Sequence, residues 1–174
     1  MNLTTPTKAT KDCFKGFSYR DSDFDNWLPK VQPAQSGDIT IKQNQKEMTF
    51  LEMAQEYLGT TDVEEIKKHT LTLPMVEELV KNHESELRTD GCANFFFVED
   101  NKEGVSVGYV FRGGRAWRAR VNSLGLGSRW GAGDRFLLRD LEEASTLRPS
   151  DPVLGLDAAI KMVKDAGYVI YKPV

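Results

Sequence analysis

The sequence predicts a mixed α/β domain, of the α+β kind, in which helices flank a mostly antiparallel central sheet. Two segments rich in β-branched and aromatic residues, 93–99 and 105–112, flank a short polar turn, which is the pattern of a β-hairpin. Apolar residues at helical spacing between residues 49 and 87 predict the flanking helices. The chain has 174 residues, of which 40% are hydrophobic, and this is enough to build the core of one domain.

The first 36 residues differ in pattern from the rest of the chain. They are polar and interrupted by prolines, so residues 1–36 are predicted to form an irregular N-terminal arm and residues 37–174 a single α/β domain. The arm carries too many aromatic side chains for a free tail. We therefore expect four of them to pack on the body: Phe14, Phe17, Phe24 and Trp27.

Residues 38–42 alternate between polar and apolar side chains, which predicts a short strand. Patterns typical of helices dominate the next part of the chain. The first helix covers residues 49–58 and opens with a capping box formed by Thr49 and Glu52. Thr61 and Glu64 repeat this box and predict a second, short helix. Pro74 begins a third predicted helix.

The remainder is predicted to alternate between strands and helices. A strand at residues 116–126 follows the hairpin, with Trp117, Ala119 and Val121 on one face and Arg118 and Arg120 on the other. A glycine-rich loop at residues 125–133 is predicted to lead into a helix that runs to residue 144. A short strand at 152–156, a helix at 157–166 and a strand at 168–171 close the domain.

The charges are unevenly distributed, and this limits the classes of partner. The net charge is −3, yet eight of the ten arginines lie between Arg112 and Arg148. A local cationic patch on an acidic protein favours a compact anionic ligand over a long nucleic-acid track, which usually needs a basic domain. A well-solvated sheet face is the alternative interpretation of the same arginines. A nucleic-acid partner is accordingly disfavoured.

Metal and membrane functions receive no support from the sequence. Two cysteines, Cys13 and Cys92, are too few for a disulfide framework, and neither histidine has a second ligand at metal-binding spacing. Charges interrupt every apolar run, and the N-terminus has no secretory pattern. We therefore expect a cytoplasmic protein with no metal and no membrane partner.

The glycine-rich loop is the strongest candidate for a binding site. A loop that joins a strand to a helix presents backbone N–H groups at the helix N-terminus, and this geometry binds phosphate or pyrophosphate. The loop lacks the Lys-Ser/Thr ending of ATP-binding loops, and it does not open a strand–helix–strand unit of the dinucleotide-binding type. The two capped helices also allow a helix-turn-helix or a LysM-like module, but Glu64 and Glu65 would repel DNA phosphates.

The order hairpin, strand, glycine-rich loop, helix, strand, helix, strand resembles the GNAT N-acyltransferase superfamily. The segments that carry the resemblance are residues 95–99, 107–110, 121–124, 129–133, 136–144 and 159–168. The resemblance implies an enzyme that moves an acyl group from acyl-CoA, as co-substrate, to a small-molecule or protein amine. It implies that the pyrophosphate is bound by residues of the loop and its continuation: Arg129, Trp130, Gly131, Ala132, Gly133 and Arg135.

The catalytic assignments that follow from the resemblance are positional. Residues 121–124 would line a splay between two strands that accepts the pantetheine arm. Glu99 and Ser123 are the candidates for the proton path from the amine. Many members of the family use a tyrosine as general acid, whereas the matching position here is Val163, so a slow or degenerate enzyme is expected.

A second hypothesis assigns the chain a non-enzymatic role on the same fold. In this alternative, a binding or assembly protein uses an Arg/Trp-rich patch for an acidic protein or a nucleic-acid partner. The patch would consist of Arg118, Arg120, Arg129 and Trp130, because arginine and tryptophan are favoured at interfaces. Trp130 would then be exposed at the tip of its loop.

Overall fold

A computed structural model describes residues 1–141 of the chain. In chain order the strands are β1 (Asn2–Thr5), β2 (Lys8–Ala9), β3 (Tyr19–Arg20), β4 (Val31–Gln32), β5 (Gln35–Gln43), β6 (Asn94–Glu99), β7 (Val105–Gly113), β8 (Ala116–Ser123) and β9 (Arg135–Arg139). The helices are α1 (Asp23–Trp27), α2 (Phe50–Leu58), α3 (Val63–Lys67) and α4 (Leu73–Asn82). Two short 3₁₀ turns, Thr10–Asp12 and Glu84–Glu86, complete the described elements.

A seven-stranded sheet organises the described residues, in the order β1-β5-β9-β6-β7-β8-β3. The pairs β1–β5, β5–β9, β6–β7 and β7–β8 are antiparallel, whereas β6–β9 and β3–β8 are parallel. A separate two-stranded ladder joins β2 to β4. The predicted fold class, a mostly antiparallel sheet flanked by helices, is confirmed.

Each face of the sheet is covered by different helices. We call face 1 the side on which Phe95, Phe97 and Phe136 lie; α2 and α3 pack here and bury Phe50 and Ile66 against these rings. Face 2 is the opposite side, where α4 and the N-terminal segment bury the alternate residues of the same strands, among them Phe96, Val110, Val121 and Leu137. Both clusters are apolar, so the hydrophobic effect holds the layers together.

The N-terminal segment is more regular than the sequence predicts. Residues 2–5 form an edge strand of the main sheet, with Leu3 opposite Gly37 in the register, and the described residues belong to one compact unit with no division at residue 36. The aromatic side chains do pack on the body, as expected: Phe14 and Phe24 are fully buried, and Phe17 and Trp27 lie against the same cluster. The edge strand was missed because its pairing partner is a long way along the chain.

The three predicted helices exist, and each start differs by one residue from the prediction: α2 begins at Phe50 and α3 at Val63, one residue later, and α4 begins at Leu73, one residue earlier. The capping box of α2 is present, because Thr49 accepts a hydrogen bond from the Glu52 amide while the Glu52 carboxylate accepts one from the Thr49 amide. Helix α3 is capped by Asp62, which accepts from the Glu65 amide, and not by Thr61. Aspartate and threonine are both common N-cap residues, so the sequence alone does not decide whether Thr61 or Asp62 caps the helix.

The helix predicted after the glycine-rich loop is wrong over the described residues. Residues 135–139 form β9, which lies inside the sheet between β5 and β6. Phe136, Leu137 and Leu138 are buried because both faces of this strand are covered. A short continuous apolar run fits a buried strand and a buried helix equally well, which explains the error. The elements predicted at 152–156, 157–166 and 168–171, including Val163, lie outside the described residues.

Candidate functional site

The glycine-rich loop is held to the body by its own backbone. Trp130 exchanges two backbone hydrogen bonds with Met48, at 2.9 and 3.0 Å, and the Gly133 amide donates to the Asn44 carbonyl at 2.9 Å. Gly133 has a φ of +97°, a left-handed conformation that favours glycine. Several of the amides expected to face a phosphate are therefore engaged within the protein.

The side chains predicted to bind a cofactor have other neighbours. Arg129 forms an ion pair with Glu52 at 3.0 Å and donates to the Glu47 carbonyl at 2.7 Å. The pKa of Glu52 is lowered, mainly by its hydrogen bond from the Thr49 amide and then by Arg129. Arg135 donates to the Glu86 carbonyl. The cations near the loop are thus already paired with carboxylate or carbonyl oxygens.

Trp130 is not the exposed loop tip that the second hypothesis expects. Its ring stacks on Phe50 with centroids 5.5 Å apart and meets Phe95 edge-on at 4.9 Å. The indole nitrogen is buried and has no hydrogen-bond partner among the described residues. Trp130 consequently closes one edge of the face 1 core, and its role is in packing.

The loop leads into β9, so no helix N-terminus lies behind residues 131–133. The electrostatic argument for a pyrophosphate site depended on that helix and does not apply here. Gly131 and Ala132 remain exposed on the loop. Acyl-CoA binding stays a prediction that the sequence resemblance implies.

A different group of residues forms a continuous surface on face 1. Tyr19 of β3 lies opposite Arg118 of β8, which in turn lies opposite Phe111 of β7. Arg120 belongs to the same face because side chains alternate along β8. We call these four residues the cationic–aromatic surface: Tyr19, Phe111, Arg118 and Arg120. Helices α2 and α3 cover the other end of face 1, and this end is exposed.

Stacking fixes the position of Arg120 on this surface. Its guanidinium carbon lies 5.3 Å from the centre of the Tyr19 ring and 6.0 Å from that of Phe111. Tyr19 is 44% exposed, and both arginines are exposed. Cation–π contacts of this kind contribute about 0.5–1 kcal/mol at exposed sites. They orient the guanidinium while leaving its N–H groups at the edge free to bind an anion.

Most other arginines in the described part of the chain have partners. Four form ion pairs with carboxylates: Arg20 with Asp25, Arg88 with Asp90, Arg112 with Glu84 and Arg129 with Glu52. Arg135 and Arg139 donate to backbone carbonyls. Among residues 1–141, the three arginines without a hydrogen-bonded or ion-pair partner are Arg115, Arg118 and Arg120, all on β8 or the turn before it.

Asp21, the acidic residue that follows directly on β3, forms no ion pair with Arg118 or Arg120 within the described residues. Asp21, two residues after Tyr19, accepts a hydrogen bond from the Asp23 amide at 3.1 Å. On face 2 the situation is different, because Glu84 accepts from both Arg112 and the Trp117 indole. Among the described residues, Arg112 of β7 is therefore ion-paired on face 2, whereas Arg118 and Arg120 of β8 have no ion-pair partner on face 1.

The two residues predicted for the proton path lie in different clefts. Ser123, at the end of β8, lines a cleft of about 390 Å³ together with Trp27 and Ser106. Glu99, at the end of β6, lines a smaller cavity of about 100 Å³ with Gln35 and Thr72. The structure therefore does not bring Glu99 and Ser123 together in one cleft.

Sequence reasoning identified the arginines of the surface and missed its aromatic residues. Tyr19 reaches the surface through the parallel pairing of β3 with β8, a contact between residues 99 positions apart along the chain, Tyr19 and Arg118. A two-residue strand leaves no periodic signal. Phe111 could have been found from the sequence. Side chains two apart on β7 lie on the same face, so Phe111 shares a face with Tyr109 and faces the arginines of the next strand, β8.

Comparisons with models of known families, with curated proteins and with solved structures found no match to this chain. Within the described residues, no group of three or more His, Cys, Asp or Glu side chains is arranged to hold a metal ion. None of the described helices has the length and apolar character needed to cross a membrane. The function is therefore argued from the geometry of the described surface.

Proposed function

We propose that this chain is a binding or assembly protein that uses its cationic–aromatic surface to bind an acidic protein partner. The observation that carries the proposal is the pair Arg118 and Arg120, exposed side by side without a carboxylate partner among the described residues, with Arg120 stacked between Tyr19 and Phe111. The cation–π contacts of Arg120 add about 0.5–1 kcal/mol to stability, whereas Arg118 has no such contact among the described residues.

The stacked geometry favours binding because it reduces the entropy lost when a partner is bound. A free arginine side chain carries about 2 kcal/mol of rotamer entropy, and its planar guanidinium binds carboxylates through two parallel hydrogen bonds. The guanidinium of Arg118 lies over Gly113, so close that a side chain at Gly113 would collide with its Nε and Cζ atoms. Two guanidinium groups fixed on one face suit closely spaced carboxylates.

An acidic protein fits this surface better than a nucleic acid does. Arg120 packs on the rings of both Tyr19 and Phe111, so a base that stacked on either ring would compete with the guanidinium. The whole chain carries a net charge of −3, which disfavours a long polyanion. A short acidic segment of a protein meets the arginines without approaching the remaining acidic surface.

A labelled deca-glutamate peptide serves as the probe for this proposal. Its binding to the full chain is measured by fluorescence anisotropy at low salt, for the parent and for the double variant Arg118→Gln/Arg120→Gln. Each exposed charge pair contributes about 0.2–1 kcal/mol, so we expect the double variant to bind about tenfold more weakly. The matched control is Lys42→Gln/Lys81→Gln, which removes two exposed lysines without ion pairs and changes the net charge equally.

The control variant decides how the result is interpreted. Equal weakening by both double variants means that net charge and not the surface governs binding, and the proposal fails. A ten-nucleotide oligo-dT that binds more tightly than the peptide, and loses its affinity in the arginine variant, assigns the surface to single-stranded nucleic acid instead. Binding to the parent is also expected to weaken above 0.15 M salt, where charges are screened beyond about 8 Å.

Acyl transfer from acyl-CoA to an amine is the second candidate. One observation favours it: the Ala132 amide belongs to an exposed residue and makes no hydrogen bond within the described residues, whereas the Gly131 amide is engaged with the Asp134 carboxylate. Acetyl-CoA at 100 times its Kd would stabilise the chain by about 2.7 kcal/mol, which is measurable as a rise in Tm. Gly131→Val is expected to abolish that rise, and no rise with millimolar acetyl-CoA rejects this candidate.

A further inference from the structure

A polar cleft lies on face 2, away from the cationic–aromatic surface. Its walls are the end of α1 and the turn between β6 and β7, and its floor is formed by the ends of β7 and β8. Asn101 joins the two walls, because its backbone amide donates to the Trp27 carbonyl at 2.7 Å and its side chain donates to the Asn26 carbonyl at 2.8 Å. The cleft is therefore built by specific contacts between separate parts of the chain.

Two serines interrupt an otherwise apolar face at this point. Ser106 of β7 lies opposite Val98 on one side and opposite Ser123 on the other. Ser106 is only 4% exposed, yet its hydroxyl makes no hydrogen bond with the described residues. The Ser106 hydroxyl still reaches the cleft, because among the described residues the fully buried polar side-chain atoms without a partner are those of Thr72 and Trp130, whereas valine fills equivalent positions further along β7 and β8. The hydroxyls of Ser106 and Ser123 are thus available to a ligand.

Charged groups of both signs complete the cleft. Asp100 accepts hydrogen bonds through one carboxylate oxygen from the amides of Lys102 and Gly104, each at 2.8 Å, so its orientation is fixed. The second oxygen has no such partner among the described residues. Lys102 lines the cleft beside it without an ion pair in this part of the chain. The two charges cancel, so the cleft favours neither a simple anion nor a simple cation.

Trp27 supplies an apolar wall. The indole is half-buried and packs against the face 2 core, which holds the ring in place. One aromatic wall next to mixed donors and acceptors matches a ligand that has C–H groups on one side and hydroxyls around its edge. A sugar hydroxyl both donates and accepts, so it can bind serine, carboxylate and ammonium groups alike.

We propose that this cleft binds a small, neutral, polyhydroxylated ring such as a monosaccharide or a cyclitol. The ring packs on Trp27, and its hydroxyls bind Ser106, Ser123, Asp100 and Lys102. The cleft volume of about 390 Å³ accommodates one such ring with some water. This inference is independent of the acidic partner proposed for face 1, because the two sites share no residue.

The test is a titration of the full chain, followed by amide and indole NMR signals. The probes are glucose, galactose, mannose and myo-inositol, with glycine and inorganic phosphate as charged comparisons. We expect at least one polyol to bind with a Kd of about 1 mM and to shift the signals of Trp27, Asn101, Lys102 and Ser123. The variant Ser106→Ala/Ser123→Ala is expected to bind it about tenfold more weakly or worse.

A matched pair of serines controls for unspecific effects. Ser36→Ala/Ser128→Ala removes two exposed hydroxyls outside the cleft and should leave polyol binding unchanged. Saturable shifts that are equal in both serine variants place the binding elsewhere and overturn the proposal. Stronger binding of glycine or phosphate than of every polyol overturns the ligand class, and no saturable binding of any polyol at about 100 mM overturns the site.

Discussion

The position of Arg120 depends on side chains from two neighbouring strands. Tyr19 and Phe111 hold the guanidinium over the sheet, whereas Arg112, one strand away and on the opposite face, is neutralised by Glu84. Alternation along the strands determines which arginine meets a carboxylate and which meets an aromatic ring. At the residue scale, the proposed function therefore depends on the register of β3, β7 and β8, which decides the neighbours of each arginine, more than on the number of arginines in the sequence.

Gly108 of β7 shows how closely face 2 of the sheet is packed, on the side opposite to Arg120. A Cβ atom at this position would lie 2.3 Å from the buried ring of Phe96. Gly108→Ala is therefore expected to lower the free energy of unfolding by about 1–3 kcal/mol, as overpacking does. The control is Gly127→Ala, where nothing lies within 4 Å and no positive φ is required. Chemical denaturation measures both, and equal stability of the two variants would contradict the packing.

The two cysteines are expected to differ in reactivity. Burial raises the pKa of Cys13 to about 12, so its thiol stays protonated at neutral pH. Cys92 is only partly buried, and its pKa is raised above the ordinary value, first by desolvation. A thiol titration with Ellman's reagent at pH 8 should detect one slowly reacting thiol in the folded chain and two in guanidinium chloride. Two thiols reacting at one rate in the folded chain would contradict the burial of Cys13.

The N-cap of helix α3 can be tested directly, because the structure assigns it to Asp62 and the sequence pattern to Thr61. Asp62→Ala removes the side chain that caps the Glu65 amide and should lower the free energy of unfolding by about 1 kcal/mol. Thr61→Ala changes the exposed residue that the sequence pattern favoured, and the expected change lies within about 0.5 kcal/mol. Denaturation curves that rank the two variants in the opposite order would place the helix start at Thr61.

Elements with strong local signals were predictable, and those fixed by distant pairing were not. The hairpin of β6 and β7 and the capping box of α2 are encoded within a few residues, and both were confirmed. Strand β9 was mistaken for a helix because its pairing partners, β5 and β6, and the layers that cover its two faces all come from distant parts of the sequence. The same holds for the site: the arginines of β8 were recognised, but Tyr19 joins them only through tertiary pairing.

At the scale of the described molecule, the two faces of the sheet have different chemistry at the β8 end. Face 1 presents aromatic rings and arginines that have no ion-pair partner within residues 1–141, whereas face 2 presents a cleft with balanced charge. The chain as a whole is acidic, with a net charge of −3, and this total does not reveal the local positive surface. The net charge by itself therefore does not identify which class of partner the chain binds. The glycine-rich loop, which dominates the sequence pattern, is tied down between Met48 and Asn44.

The central claim is that the cationic–aromatic surface is the binding site for an acidic partner, and amide chemical-shift mapping tests it most directly. Unlabelled deca-glutamate is titrated into isotope-labelled full-length chain at low salt. The account predicts that the largest saturable shifts occur at Tyr19, Phe111, Arg118 and Arg120 and disappear in Arg118→Gln/Arg120→Gln. Shifts concentrated in the loop at residues 125–133, or no saturable shift at these four residues, would contradict the claim.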